Sequence, residues 1–264
     1  MTTLTVLWVR ARSLRPGAMM ERNFHVHRRA WLIMLTGLLE PLFYLLGLGI
    51  GVGALVGEIT VGGRSYEYAV FVAPAMLANA AMIAAVTETT FNVFGKLKFA
   101  KLYDGIMATP MRPMDIAWGE GLWALVRGLV YVVAFIVVTA AFGMVDSLWA
   151  VLAVPAGLLI SAAFVGIGLT LSTYFKSWTD FDWVMAIVFV MFFFSGTFAP
   201  IETYPTVLQW LVYLSPLYHG IELTRGAMLG FFDPMMIVNA VYLLVVTAVG
   251  LSIASRRMSR LLYK

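Results

Sequence analysis

Six apolar runs, each close to the length that crosses a bilayer as a helix, recur along this 264-residue chain. They occupy residues 31–56, 68–94, 116–142, 148–173, 183–199 and 235–254. A spanning helix needs about 20 mostly apolar residues. Composition points the same way, with 61% hydrophobic residues, 12% charged and a mean hydropathy of +0.89. A soluble domain carries about a quarter charged residues, and most of its exterior must be wetted. The expected fold is therefore an all-α integral membrane protein with six transmembrane helices. The fifth run is short, and an apolar segment punctuated by Pro200, Pro205 and Pro216 follows it. That segment is expected to lie on the surface or re-enter the membrane, which is tolerated only where protein or water satisfies its backbone.

The connections alternate in charge. Arg10, Arg12, Arg15, Arg22, Arg28 and Arg29 precede the first run; Lys96, Lys98, Lys101 and Arg112 lie between the second and third. Lys176 follows the fourth, and Arg256, Arg257, Arg260 and Lys264 follow the sixth. The other side holds Arg64 and Arg225, with Arg127 inside a run, and the acids Glu58, Glu67, Asp146, Glu202, Glu222 and Asp233. Basic residues stay on the cytoplasmic side of a membrane protein, so both termini are expected there.

The first 30 residues do not have the layout of a cleaved signal, which needs a short basic region, an apolar core and a small-residue cleavage site. Leu4, Leu7, Trp8 and Ala11 fall on one helical face, Pro16-Gly17 interrupts, and Met20, Phe24 and Trp31 then share a side. A basic amphipathic helix of this kind lies in the interface; a solvated charged tail is the plainer alternative.

Familiar chemical motifs do not survive inspection. Gly47, Gly49, Gly51 and Gly53 fall inside an apolar run, not in the βαβ context of a dinucleotide fingerprint. They form small-xxx-small pairs that let helices approach closely. Gly95-Lys96 lacks the upstream glycine and the following Ser or Thr of a phosphate-binding loop. His25, His27 and His219 have no metal-ligand spacing and read as interfacial; no metal site and no catalytic site is expected. The absence of cysteine removes disulfides, thiolate ligands and a thiol nucleophile.

Ionisable residues within spans are costly and are functional candidates by default. Glu40, Glu88, Glu120 and Arg127 stand out. At ~1.5 Å per residue from the basic ends, Glu40 and Arg127 sit roughly 14–15 Å deep, Glu88 roughly 10 Å and Glu120 roughly 6 Å. Glu120 and Arg127 are seven apart and share a face. An ion pair of Arg127 with Glu88 or Glu40 would fix helix packing; snorkelling toward headgroups is the alternative. Three acids against one Arg would leave carboxylates unmatched, which keeps a proton-coupled carrier in view.

The loop GKLKFAKLYDGIMATPMRPMD, residues 95–115, places Leu97, Ala100, Lys101 and Asp104 at helical spacing before Pro110 and Pro113 stop it. A short amphipathic helix here is either a connector or a knob for a groove on a soluble partner. On the other side, Trp210, Tyr213, Tyr218 and His219 suit an outer interface, and Glu222 and Arg225 can pair at i, i+3. The segment reads as a gate or cap, or more plainly as a surface anchor.

These two segments carry a resemblance. Pro74 early in the second run, Glu88 followed by Thr90, Asn92, Val93 and Phe94, the KLKFAKLYDGIMATPMRP loop and Gly119-Glu120 form one block. Ser195-Gly196, Pro200, Pro205 and LSPLYHGIELTRGAMLG, residues 214–230, form the second. In this order and spacing the chain resembles the ABC-2-type permeases of ABC exporters, most closely the nodulation-factor and antibiotic-resistance branches. The resemblance implies a single transmembrane domain over 1–264, with an interfacial helix at 1–30, a six-span bundle at 31–255 and a cytoplasmic tail at 256–264. It implies two permease subunits, identical or paralogous, working in a bacterial plasma membrane with separate ABC ATPase subunits. Those subunits would bind ATP and Mg; no cofactor is expected in this chain. Residues 95–109 would be the coupling helix, with Lys96, Lys98, Lys101, Leu102, Tyr103, Asp104 and Met107 at the ATPase interface. Residues 195–229 would form the external re-entrant element, with Ser195, Gly196, Pro200, Pro216, His219, Glu222 and Arg225 at its gate. Family substrates are lipid-linked or lipidated saccharides and hydrophobic drugs, with membrane lipid as a further partner and nucleic acid as none.

The leading expectation is thus the permease subunit of an ATP-driven exporter. A proton-coupled secondary transporter would rest on Glu40, Glu88 and Glu120, but two internal repeats of the kind such carriers show are not evident. An integral-membrane enzyme acting on lipid would need a polar cluster at headgroup level, and the candidates are scattered. A structural anchor or assembly factor is the remaining alternative.

Overall fold

The computed structural model describes residues 15–28, 31–61, 63–145 and 147–263. Leu4, Leu7, Trp8 and Ala11, with Arg10, Arg12, Arg29 and Asp146, lie outside the described residues, as does the side chain of Trp31. The described residues are mostly helical, and their strands form one hairpin. Among the described residues, five stretches are long and apolar enough to cross a membrane: Leu39–Val56, Tyr68–Phe99, Pro113–Ala141, Leu148–Ser172 and Met235–Leu262. They are named here the first, second, third, fourth and sixth spans.

The remaining apolar run forms a shorter helix, Asp180–Phe194. Its 15 residues cover about 22 Å, short of the ~30 Å of hydrocarbon. It stops because Gly196 takes a positive φ of 72°, a conformation that glycine adopts without steric cost. The expected helical stretch therefore ends five residues early and bends. Beyond it come a 3₁₀ turn Ile201–Thr203 and two helices, Thr206–Tyr213 and Pro216–Leu229, each started by its proline.

The second span is the axis of the bundle. Its apolar window is 94% buried, against 17% for the first and sixth spans. Its sequence explains this, since Ala73, Ala75, Ala78, Ala80, Ala81, Ala84 and Ala85 offer small faces in every direction and are all buried. Close approach elsewhere uses glycine. A Cβ on Gly250 of the sixth span would stand 2.6 Å from the Gly166 carbonyl carbon of the fourth, and one on Gly128 would stand 2.3 Å from Ser161 Oγ. Thr170 closes the first of these contacts by donating to the Gly250 carbonyl at 2.9 Å.

Some expectations need correcting. In the first span, Gly49 and Gly53 pack on Ala69 and Tyr68, but Gly47 and Gly51 have nothing within 4 Å. Only one of the two small-residue pairs is used inside this chain, and the stretch Leu45–Val52 is wound as a π-helix. Glu58–Val61 and Arg64–Glu67 pair as an antiparallel hairpin, with Val61 opposite Arg64. It was not anticipated, because four-residue alternations carry little periodic signal. In the leading helix, Arg15–His27, Phe24 is exposed and Met19 and Asn23 are buried. The packed stripe is thus Met19, Asn23 and His27, not Met20 and Phe24. Met19 fills the space over Gly119, and the His27 ring lies 5.1 Å from that of Trp123.

Candidate functional site

The second span does not end as a plain α-helix. Glu88–Asn92 and Gly95–Phe99 are π-helical, a winding that often marks functional positions. This shifts Glu88, Asn92 and Lys96 onto the side facing the third span. Arg127 donates from Nη1 to Glu88 Oε2 at 2.7 Å and from Nη2 to the Tyr131 hydroxyl at 3.2 Å. Asn92 donates to the same Glu88 oxygen at 2.7 Å. Glu88 is fully buried. Its Oε1 has no hydrogen-bond partner among the described residues, and Lys96 Nζ stands 3.9 Å from it.

Glu120, also fully buried, is the second centre. Its Oε2 accepts from Lys96 Nζ at 2.7 Å and from Asn23 Nδ2 at 3.0 Å, and its Oε1 accepts from the Tyr103 hydroxyl at 3.0 Å. One carboxylate therefore ties together the leading helix, the second span's end, the loop helix and the third span. Burial, and then the negative charge of Glu120, hold the Tyr103 hydroxyl well above the ordinary phenol value, so it stays a donor. Glu88 and Glu120 face Arg127 and Lys96, two acids against two bases. Lys96, expected among the residues of an ATPase interface, turns inward instead and supplies the counter-charge that sequence reasoning lacked. Glu40 is exposed on the first span, and Arg127 pairs with Glu88 instead.

The loop helix is Leu102–Met107, shorter than expected, because Lys101 adopts a left-handed φ of 46° that separates it from the π-turn before. A non-glycine residue held there costs of order 1 kcal/mol or more and persists only when its surroundings impose it. Lys98, Lys101 and Asp104 point outward, Leu102 and Met107 are half-buried, and Tyr103 and Lys96 turn inward. Beside the loop stands an aromatic cluster that the sequence did not announce. Phe99 and Trp178 stack at 5.0 Å, and Phe94 meets Trp178 at 5.2 Å and Phe181 at 5.3 Å. Pairs of this kind add about 0.5–1.5 kcal/mol beyond area burial, and they hold the π-wound end of the second span against Trp178 and Phe181.

The opposite end of the bundle is organised around Arg225. It donates to Glu222 and, from Nη2, to the Gly196 carbonyl at 2.8 Å, with its guanidinium 4.2 Å from the centre of the Phe71 ring. Ser195 and Ser215 share a hydrogen bond at 2.7 Å. His219 is buried rather than interfacial; it contacts Asn239 Oδ1 and the Tyr213 carbonyl and stacks on Tyr242 at 3.9 Å. Pro200 and Pro216 immediately precede Ile201–Thr203 and open Pro216–Leu229. Among the described residues no group of His, Asp and Glu could hold a metal ion.

Comparison with known proteins gives one consistent result. Residues 17–229 match the family profile described as ABC-2 type transporter. Nodulation protein J of Rhizobium leguminosarum bv. trifolii is 36% identical over 220 residues, 83% of this chain and 82% of the relative. The protein of the same name from Neorhizobium galegae is 30% identical over 251 residues, 92% of this chain and 94% of the relative. That of Rhizobium meliloti (strain 1021) is 29% identical over 215 residues.

Proposed function

Since the chain belongs to the ABC-2 type transporter family, we propose that it is the permease subunit of an ATP-driven exporter and that separate ABC ATPase subunits dock on its basic end. The carrying observation is the loop helix Leu102–Met107. It presents Lys98, Lys101 and Asp104 outward while Tyr103 plugs inward onto Glu120. A push on this helix reaches the second and third spans through buried hydrogen bonds, with no flexible linker between. The ATPase partner binds ATP and Mg, consistent with the missing phosphate-binding loop in this chain. The bundle sits in a bacterial plasma membrane with both termini cytoplasmic, a reading favoured by the basic connections, and the short helix Asp180–Phe194 completes a sixth crossing together with the segment after it. Residues 195–229 form the external re-entrant element.

A second permease copy or paralogue covers the first span. Glu40 is exposed there, roughly 14 Å along the helix from its start at Trp31, where a carboxylate against lipid is costly, and Gly47 and Gly51 lie open on the same span. A second subunit, or a wet path between subunits, relieves both. The cargo class that fits the resemblance is a lipid-like, saccharide-bearing or hydrophobic molecule, moved as ATP shifts the population between inward and outward states. The proton-coupled reading loses its motive, because Glu88 and Glu120 already have two cations.

Co-expression and co-purification with a candidate ABC ATPase subunit, followed by an ATPase assay, tests the proposal. A stable complex whose association is lost in Lys101→Glu or Asp104→Lys, with membrane insertion intact, is expected. A chain that holds no ATPase and moves substrate on an imposed proton gradient overturns it.

A further inference from the structure

The sixth span continues to Leu262, eight residues past the end of its apolar run. Its last turns and the first turns of the third span enclose a groove of about 480 Å³, lined by Met114, Trp118, Leu251, Ser255, Arg256 and Ser259 among others. The walls divide by chemistry. Ala248 and Leu251 lie toward the middle of the span, and Ser255, Arg256 and Ser259 toward its basic end.

Two adjacent arginines are treated differently here. Arg257 is occupied, stacked 3.4 Å over the Tyr174 ring and donating to Thr173 Oγ1 at 3.0 Å. Arg256 is exposed into the groove and has no carboxylate or hydrogen-bond partner among the described residues. The Ser255 hydroxyl has no partner among them either, while Ser252 and Ser259 donate to their own helix. A guanidinium and a hydroxyl on one rim suit a phosphate. Trp118, exposed beside them, is an amphipathic ring of the kind that settles at headgroup level.

We propose that this groove binds the headgroup of an anionic phospholipid, with Arg256 and Ser255 on the phosphate and the glycerol end of an acyl chain along Leu251 and Ala248. Charge complementarity selects the anionic class, and the apolar floor selects a lipid over a free phosphate. The orientation proposed above enters only in naming the leaflet, which is the cytoplasmic one.

The test is native mass spectrometry of the full chain in detergent, titrated with phosphatidylglycerol or with phosphatidylcholine of the same acyl chains. Phosphatidylglycerol binds preferentially at one saturable site. Arg256→Gln weakens it about fivefold, the worth of one basic residue at an anionic surface. Ser255→Val, which keeps every charge, weakens it too. Arg260→Gln, on the same helix outside the groove lining, leaves it unchanged. Equal binding of the two lipids, equal effects of Arg256→Gln and Arg260→Gln, no effect of Ser255→Val, or displacement by millimolar inorganic phosphate would each overturn the assignment. The readout involves no ATPase, so the exporter reading and this one stand or fall separately.

Discussion

Two arginines close the two ends of the second span, and they do so by different physics. Arg127 reaches across from the third span to a fully buried carboxylate, Glu88, and shares its neighbourhood with a second acid and a second base. Arg225 spends its guanidinium on a local partner, Glu222, on the Gly196 carbonyl and on the face of Phe71. The basic end is held by charge balance between elements far apart in sequence. The other end is held by dipoles, an aromatic face and one positive-φ turn. A balanced buried cluster fails when one member is removed, because the remainder is left uncompensated in a poor solvent. A dipole-anchored turn yields to changes in backbone shape.

The largest effect that separates them is expected from Glu88→Ala, which strands Arg127 and costs about 3–5 kcal/mol. It is read as a fall in the thermal unfolding midpoint of the detergent-solubilised chain. Replacing both Glu88 and Arg127 by Met recovers most of the loss if the pair acts through balance, and none of it if each residue has its own structural task. Arg225→Met comes next, at about 2–3 kcal/mol, for a charged donor lost and a carbonyl left unpaired. Its effect leaves ATPase association unchanged, whereas a defect in association would make the two ends one unit. Gly196→Ala forces a side chain into the left-handed region and costs about 1–2 kcal/mol. The nearest atom, on Tyr218, is 3.7 Å from the new Cβ, so strain rather than a clash is what the unfolding midpoint measures.

Tyr103→Phe is the smallest in stability, about 1 kcal/mol for one hydrogen bond. It reduces coupling more than folding, seen as ATPase activity that no longer responds to the permease. The raised Tyr103 value also has a sign. The fold favours the protonated phenol, so stability is intact below the ordinary value of 10 and falls as pH rises beyond it. Tyr103→Phe makes that alkaline fall shallower in a pH series of unfolding midpoints.

Five of the six expected spans were legible because each is a long, contiguous apolar run, and a bilayer leaves such a run few other forms. Helical rise put both Glu88 and Glu40 within reach of Arg127, and the fold chose Glu88. What escaped the sequence depended on local winding or on neutral groups. Lys96 was read as an interface charge of the coupling loop, since nothing in its neighbours announces the π-turn that swings it inward. Asn23 carries no charge to count, so its bond to Glu120 left no trace in composition. The bend after Phe194 is visible only as Ser195-Gly196, a pair that fits an unbroken membrane helix equally well. The stack of Phe99 on Trp178 joins two loops nearly eighty positions apart, beyond any periodicity.

The π-wound segment Glu88–Asn92 also acts as a gear tooth. Each residue of an α-helix advances the azimuth by about 100°, so one extra residue in that turn sets the angular phase of everything after it. The two halves of the second span are thereby clocked independently: the membrane half, through its own alanine faces, to the neighbouring helices, the emergent half to Glu120. Deleting a single position within that turn would leave each contacting side chain present and yet rotate Lys96 and Tyr103 away from their carboxylate. The grip of Glu120 on its partners is thus encoded in residue count as much as in residue identity.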